Sequence, residues 1–443
     1  MGLESSHGRC MAGNRGSGYA EWPFRKRTGV PPISTRQLID DWRLLLFGFW
    51  LMFWSSPGQT YLISLYGGAI REDLALSHGG FGGLYSLGTL ASAGVMVWSG
   101  RLVDWLDLRL LSLALVVFLA LACFSISLAA GAVSLALAFF LLRQSGQGLM
   151  SHVSMTAMSR YFEGARGRAT AFAAVGFASA EACLPAITIA LIGWLGWREA
   201  WRVTGLAALV LLVPSIVWLL RGHAGRHRRH LEILSTAQNA PDDPARPRQR
   251  QWTRGEVLRD MRFYLVVPAI LAPSFFFTGF FFHQVHLVET KGWALDWWGA
   301  SFALYAGASL LATLVTGPLG DRLGATRLLP FFPAPLGLGL LVLSQSSLPL
   351  AGLAFLTLTG ITSGWTVTVM GPFWAEVYGV LHLGAVKALG AALSVFSSAL
   401  SPFLLGWLID AGASMDGLAM GSAVYIGLAC ALASLAFRHP AHG

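Results

Sequence analysis

Long apolar runs recur along the whole chain beyond its first forty residues. A helix rises about 1.5 Å per residue, so about 20 apolar residues cross the roughly 30 Å hydrocarbon core of a bilayer. The Leu, Ala, Phe and Gly content of the runs, without alternation of polar and apolar residues, favours helices over a barrel. The chain is therefore expected to be an all-α integral membrane protein. Twelve spans are predicted, at about 43–67, 79–101, 109–131, 133–158, 168–195, 200–221, 263–289, 296–319, 327–347, 350–376, 385–410 and 417–437.

The basic residues predict the orientation of these spans, because cytoplasmic loops carry an excess of Arg and Lys. Of the 31 Arg and Lys residues, 26 fall on the side that holds both termini, four fall on the opposite side and Arg143 lies inside a span. Both termini are thus expected in the cytoplasm, and the membrane is expected to be a bacterial inner (plasma) membrane. The net charge of +9 follows from this topology and from contact with anionic lipid, and needs no nucleic-acid partner.

A polar and basic stretch containing APDDPARPRQRQ separates the first six spans from the last six. It is typical of a linker between two bundles. The predicted organisation is a cytoplasmic, mostly disordered tail at 1–42, a six-helix bundle at 43–222, a cytoplasmic linker at 223–262, a second six-helix bundle at 263–437 and a cytoplasmic tail at 438–443.

A charged motif follows the second span of each half: GRLVDWLDLR begins at Gly100 and GPLGDRLGATR at Gly317. Equivalent positions in two halves are typical of transporters built from internal repeats. Each Gly is expected to end its helix and to permit close packing, while each Asp can meet a basic group or a helix N-terminus of a neighbouring helix. Such a latch would hold the cytoplasmic face closed in one state. The residues predicted for this gating are Gly100, Asp104, Arg109, Gly317, Asp321 and Arg322.

The second copy resembles the loop motif of the major facilitator superfamily, Gly-x-Leu-Ala-Asp-Arg-x-Gly-Arg-Lys or Arg. The first copy departs from it at Trp105 and Asp107. RQSGQG at 143–148, RYFEGARGRA at 160–169 and GWREAW at 196–201 resemble further motifs of that family. The resemblance implies twelve helices in two pseudo-symmetric bundles, with helices 1, 4, 7 and 10 around a cavity.

Within the family, the loop between spans 4 and 5 and the GWR turn resemble the branch that carries monocarboxylates and exchanges oxalate for formate. That branch holds its anions with an Arg in helix 8 and a Lys deep in helix 11. Neither residue is found here, and Lys387 lies near the cytoplasmic start of span 11.

Two charges are expected inside the bilayer, where charge is costly and points to function. Arg143 lies about 24 Å and Glu181 about 20 Å from the cytoplasmic ends of their helices, so the two could pair. Either the pair stabilises span 4 against span 5, or Arg143 binds an anionic substrate and biases a proton on Glu181. Gln147, Ser151 and Ser154 are expected to share the face of Arg143.

Three other spans carry candidate residues. In span 1, Ser55 and Gln59 share a helical face around Pro57, which predicts a kink that either binds substrate or only packs. In span 7, His283 and His286 lie near the outer end and form an outer gate, a pH-sensitive contact or ordinary polar packing. No metal site is predicted there because a third ligand is missing. Trp365 in span 10 could stack on an organic substrate.

These features predict a secondary active transporter that moves a small organic solute, of carboxylate type, by alternating access, with protons or a counter-solute as the coupled species. One alternative is a proton-coupled exporter of drugs or metabolites. Another is a receptor or assembly factor that does not transport. A P-loop, a Gly-x-Ser-x-Gly elbow and a His-Glu-x-x-His pair are all missing from the sequence, so neither an enzyme nor a cofactor is predicted. A monomer in contact with membrane lipid is expected.

Overall fold

A computed structural model describes residues 41–162, 165–223, 225, 227, 252–379 and 382–437. Its regular elements are helices, and they follow the order of the predicted spans. The first half contains six, which we label α1 (42–73, in pieces), α2 (His78–Ser99), α3 (Leu108–Ser127), α4 (132–161, in three segments), α5 (Arg166–Leu195) and α6 (Trp197–Leu219).

The second half repeats the arrangement with six further helices. A short helix, Arg254–Val257, precedes them, and its start is capped by Thr253 and Glu256. The six are α7 (Met261–Phe282, followed by the short helix Gln284–Lys291), α8 (Leu295–Leu323), α9 (Ala325–Gln345), α10 (Pro349–Tyr378), α11 (Leu383–Asp410) and α12 (Met415–Leu435). Most of the predicted linker, 223–262, and both predicted tails lie outside the described residues.

Ten helices in the described part of the chain are long and apolar enough to cross a membrane. The other two of the twelve, α1 and α4, are the ones whose regular geometry is interrupted. In α1 the first helical piece is only Trp42–Phe53, and Pro57 follows it in a 3₁₀ turn. In α4 the middle segment, Arg143–Met150, is a π-helix. Both interruptions fall in the helices that carry the candidate site.

The two copies of the charged motif end their helices differently. Gly100 caps α2 directly after Ser99, as predicted. Gly317 was expected to end α8, and this is wrong: the helix continues through Pro318 to Leu323 and ends at Gly324. Gly324 has φ +83°, which only Gly adopts without strain, so it terminates the helix. Gly317 also faces open space, so it mediates no close helix packing.

The two halves contact each other at one end of the bundle, where α2 and α8 begin and α7 and α11 end. We call this the closed end. Glycines allow the helices to approach closely there: Gly82 lies against Pro402 of α11, and Gly299 of α8 lies against Ala186 of α5. An aromatic core of the second half also takes in Tyr61, Leu62 and Leu65 from α1. The closed end is thus tightly packed across the boundary between the halves.

Candidate functional site

The break in α1 provides the frame of the site. Pro57 lacks an N–H and restricts its neighbours, so regular helix stops at Phe53 and resumes at Thr60. Between them Gln59 is extended, with φ −92° and ψ 148°. The predicted kink is therefore present as a full break. Ser55 and Gln59 do not share a continuous helical face, however: Ser55 is buried and donates to the Met52 carbonyl at 2.7 Å, while Gln59 is half-buried.

Arg143 reaches from α4 into this break. The side chain is 4% exposed, and its Nη1 donates to the carbonyl of Gly58 at 3.1 Å and to Thr60 Oγ1 at 3.4 Å. The guanidinium carbon lies 5.3 Å from the ring centre of Tyr85 on α2, and the Tyr85 hydroxyl lies 2.7 Å from Thr60 Oγ1. The ring face attracts the cation. The buried Nε of Arg143 has no hydrogen-bond partner in the structure.

Two glycines bring α1 and α4 close enough for this contact. A Cβ at Gly58 would overlap the carbonyl of Leu142, and a Cβ at Gly146 would lie 2.7 Å from the carbonyl oxygen of Ser55. The backbones of the two helices therefore touch at the break. This close approach fixes the Gly58 carbonyl within reach of Arg143.

The π-helix changes which side chains of α4 share a face, because i to i+5 bonding inserts an extra residue into the turn. Gln147 is exposed, whereas Gln144 is buried between Ser92 Oγ at 2.9 Å and Ser99 Oγ at 2.7 Å. Ser154 donates to the carbonyl of Gly48 in α1 at 2.7 Å. Arg143 and Ser154 thus both contact α1, and a Cβ on Gly58 of α1 would lie 2.7 Å from the Gln147 nitrogen.

Glu181 lies on α5 and is 5% exposed. The hydroxyl of Tyr305 on α8, in the other half, lies near its carboxyl. Pro185 lies four residues later and leaves the Glu181 carbonyl without its usual helical donor. Tyr61, which follows the break in α1, is also near the Glu181 carboxyl, and its hydroxyl has no partner.

The predicted ion pair between Arg143 and Glu181 is not formed. The guanidinium is held by Gly58 and Thr60 instead, while Glu181 faces Tyr305. The physical reason is the break in α1. The carbonyl of Gly58, which is free there, accepts from the guanidinium in place of the Glu181 carboxylate. The two charges therefore have separate neighbours, the break in α1 for Arg143 and Tyr305 of the other half for Glu181.

The two predicted histidines belong to the closed end, with no hydrogen bond to Arg143. His283 is buried, and its Nε2 lies 3.0 Å from the Pro402 carbonyl oxygen of α11. His286 lies beyond the end of the membrane span Met261–Phe282, and its ring centre is 4.3 Å from that of His78. Burial, together with the nearby cation of Arg71, lowers the pKa of His286 below its ordinary value. Within the described residues, no group of three His, Cys, Asp or Glu could hold a metal ion.

The gating residues lie at the end opposite the closed end. Asp104 forms an ion pair with Arg160 of α4, a basic group of a neighbouring helix in the same half. Asp107 accepts from the backbone N–H of Arg109 at 2.9 Å and caps α3, which accounts for its presence in the motif. Arg322 is exposed, and it lies in the last turn of α8 together with Asp321. Trp365 of α10 is half-buried, and its indole N–H has no partner.

Several residues of the site carry no signal in the sequence. Tyr85, Thr60 and Tyr305 are ordinary residues of apolar helices. Gln284 is fully buried: its Nε2 donates to the Tyr61 carbonyl at 2.8 Å and to Ser64 Oγ at 2.7 Å, and its Oε1 accepts from Trp298 at 2.7 Å. A lone Gln after the aromatic run FFFH was its only sequence signal. It joins α1 of the first half to the second half at the closed end.

The comparisons with known proteins fit this architecture. A bacterial homologue of the human lysosomal transporter Spinster, in an inward-facing and occupied conformation, is similar with a TM-score of 0.64 and 14% identity over 93% of this chain and 98% of the other. The nucleoside transporter NupG is similar with a TM-score of 0.64 and 13% identity over 90% of this chain and 99% of the other. No curated protein sequence matches.

The sequence profile described as the Major Facilitator Superfamily matches residues 49–308, which is more than half of the chain. The matched part contains the break in α1, Arg143 and Glu181. The family and the structural neighbours indicate a transporter of small molecules rather than an enzyme. The chain belongs to the Major Facilitator Superfamily and is an integral membrane transporter.

Proposed function

We propose that the protein moves a small organic anion of the carboxylate class by alternating access, with Arg143 as the ligand for the anionic group. The observation that carries this proposal is the incomplete pairing of Arg143. A guanidinium has five N–H donors, yet the described residues accept hydrogen bonds only from Nη1 of Arg143. A buried donor without a partner costs free energy, and a carboxylate would remove that cost.

The edge of the guanidinium that carries Nε and Nη2 has the geometry to bind a carboxylate. Nε and Nη2 lie side by side on a planar fork and can donate two parallel hydrogen bonds to one carboxylate. The contacts of Nη1 with Gly58 and Thr60 hold the fork in place, so little side-chain entropy remains to be lost on binding. Gln147, Gln59 and the indole of Trp365 are the further contacts that we assign to the solute.

We assign proton coupling to Glu181. The carboxyl is buried, and the nearby hydroxyl of Tyr305 belongs to the other half of the molecule. Movement of one half against the other changes that contact, and with it the balance between the charged and the protonated carboxyl. A proton taken up in one state and released in the other would drive solute movement. A counter-solute is the alternative coupled species.

The proposed membrane arrangement follows the distribution of basic residues. Both termini and the linker face the cytoplasm of a bacterial cell, and the closed end faces outward across the inner membrane. The described conformation is then open toward the cytoplasm, which matches the inward-facing state named for the Spinster homologue. The two bundles, 43–222 and 263–437, are the parts that move, and the protein works as a monomer in lipid.

Thermal stability of the purified protein against small organic anions, cations and neutral metabolites tests the proposal, because a ligand that binds the folded state raises Tm. We expect selected carboxylates to stabilise the parent and to lose this effect with Arg143→Gln. If only cations or neutral drug-like compounds stabilise the parent, the protein is an exporter of such compounds. A ligand that binds without solute flux in proteoliposomes would indicate a receptor.

A further inference from the structure

A second carboxylate, that of Asp410, joins the two halves at the closed end. Asp410 is the last residue of α11 in the second half. Its Oδ1 accepts from the backbone N–H of His78 at 3.0 Å, and its Oδ2 accepts from that of Gly79 at 2.8 Å. These two N–H groups open α2 in the first half. We propose that Asp410 is the latch of the closed end and that its release from α2 is a step in the transport cycle.

The cap is shared between the halves. The first N–H groups of a helix have no partner within the helix. In α2 the N–H of Gly80 is satisfied within the same half by Ser77 Oγ at 3.0 Å. The N–H groups of His78 and Gly79 depend on Asp410. The negative charge also lies at the positive end of the helix dipole of α2, which strengthens the contact.

Close packing brings the latch to this position. A Cβ on Gly79 would lie 2.9 Å from Asp410 Oδ2 and 3.2 Å from the Trp407 nitrogen, and a Cβ on Gly406 would lie 2.5 Å from the His78 carbonyl oxygen. The two helices therefore meet backbone to backbone across the boundary between the halves. Any separation of the halves at this end breaks both hydrogen bonds of Asp410 together.

The strength of such a latch suits a transporter. Asp410 is exposed, so on opening both the carboxylate and the first N–H groups of α2 would bond to water instead. The closed end is therefore stabilised only by the difference in free energy between the hydrogen bonds to Asp410 and those to water. This difference is modest. The charged motif predicts a carboxylate latch at the opposite end of the bundle. There Asp104 pairs with Arg160, which belongs to the same half. At the closed end, Asp410 bonds to backbone N–H groups across the boundary between the halves.

Distances between spin labels at Glu72 and Ser347, exposed residues on opposite halves near the closed end, test the latch in lipid nanodiscs. The native cysteines are first replaced. Asp410→Asn leaves one acceptor oxygen for two N–H groups, so we expect it to raise the ratio of the separated to the closed population by roughly two- to tenfold, the effect of one lost hydrogen bond. Asp107→Asn is the matched control, because Asp107 caps α3 within one half. It should leave the ratio unchanged.

A second pair of variants tests the same contact without removing charge. Gly79→Ala and Gly80→Ala give α2 the same gain in helix propensity, but only the methyl group at position 79 meets α11, whereas that at position 80 meets Ser77. We expect Gly79→Ala to shift the distances in the same direction as Asp410→Asn, and Gly80→Ala to resemble the parent. If Asp410→Asn and Gly79→Ala both leave the distances as in the parent, Asp410 is no latch. This outcome would not depend on which solute is carried.

Discussion

The Nη1 atom of Arg143 lies 3.1 Å from the carbonyl oxygen of Gly58, so a membrane-embedded cation is held by backbone that a broken helix has released. An intact helix would have used that carbonyl for its own hydrogen bond. The break in α1 thus does two things: it positions the guanidinium, and it leaves the other edge of the guanidinium free.

The contact between α1 and α4 is predicted to tolerate no side chain at Gly58. A methyl group there would overlap the Leu142 carbonyl and force the two backbones apart. We expect Gly58→Ala to lower the free energy of unfolding by about 1–3 kcal/mol, the usual cost of overpacking. Gly94→Ala in α2 is the control, since nothing lies within 4 Å of its added methyl group. The two variants are compared by their Tm in detergent. Equal Tm values for Gly58→Ala and Gly94→Ala would refute the close contact between α1 and α4.

Lys291 is predicted to be a structural cation of the second half. Its Nζ donates to the carbonyls of Leu343 at 2.7 Å and Ser346 at 2.9 Å and lies 2.6 Å from an Asp416 carboxylate oxygen. Lys291→Met would leave these acceptors without a donor, at a cost of about 1–3 kcal/mol. The exposed Lys387, changed to Met, should cost little. Chemical denaturation in detergent gives both values, and a neutral Lys291→Met would show that water replaces the ammonium.

Glu181 is predicted to determine how transport responds to pH. Glu181→Gln keeps the shape of the side chain but cannot exchange a proton, so uptake into proteoliposomes should lose its dependence on a pH gradient. Glu199→Gln is the control, because Glu199 pairs with Arg202 on the surface. An unchanged pH profile in Glu181→Gln would exclude Glu181 as the coupling residue.

The closed end is predicted to weaken in acid. His286 is surrounded by His78, Arg71, His283 and Glu289, while Asp410 lies beside His78. Burial and Arg71 lower the pKa of His286 in the closed state. Its neutral form is therefore favoured there, and the closed end loses stability as pH falls below about 6.5, the ordinary value for His.

Spin-label distances between the halves, recorded from pH 7.5 to 5, measure this response. The separated population should grow on acidification in the parent and grow less in His286→Asn. His382→Asn, at an exposed position outside the closed end, should behave as the parent does. The same acid response in His286→Asn as in the parent would assign the effect to another group.

The fold was largely predictable from the sequence, because apolar runs of membrane length are unambiguous. The positions of Pro57 and Gly100 were also informative, since each acts on the backbone at its own position. Gly317 was misleading, because a Gly permits a helix to end without requiring it, and α8 continues past Gly317 and Gly320 to Gly324.

The sequence indicates which charged residues belong to the site, but not which groups they contact. Arg143 and Glu181 are conspicuous because charge is rare in the spans. Their separation depends on the break in α1 and on the π-helix of α4, and neither the free Gly58 carbonyl nor the extra residue in the turn has a sequence signature. Contacts between the halves, such as those of Gln284 and Asp410, join residues more than 200 positions apart.

Titration calorimetry with the carboxylate that stabilises the protein most, applied to the parent, Arg143→Lys and Arg160→Lys, measures whether Arg143 binds the anion. Lysine keeps the positive charge but loses the planar fork. Arg160 lies on the same helix and pairs with Asp104, so its replacement is the matched control. We predict that Arg143→Lys weakens binding at least tenfold and that Arg160→Lys leaves Kd unchanged. Equal Kd values for the parent and Arg143→Lys would contradict the assignment of Arg143 as the anion ligand.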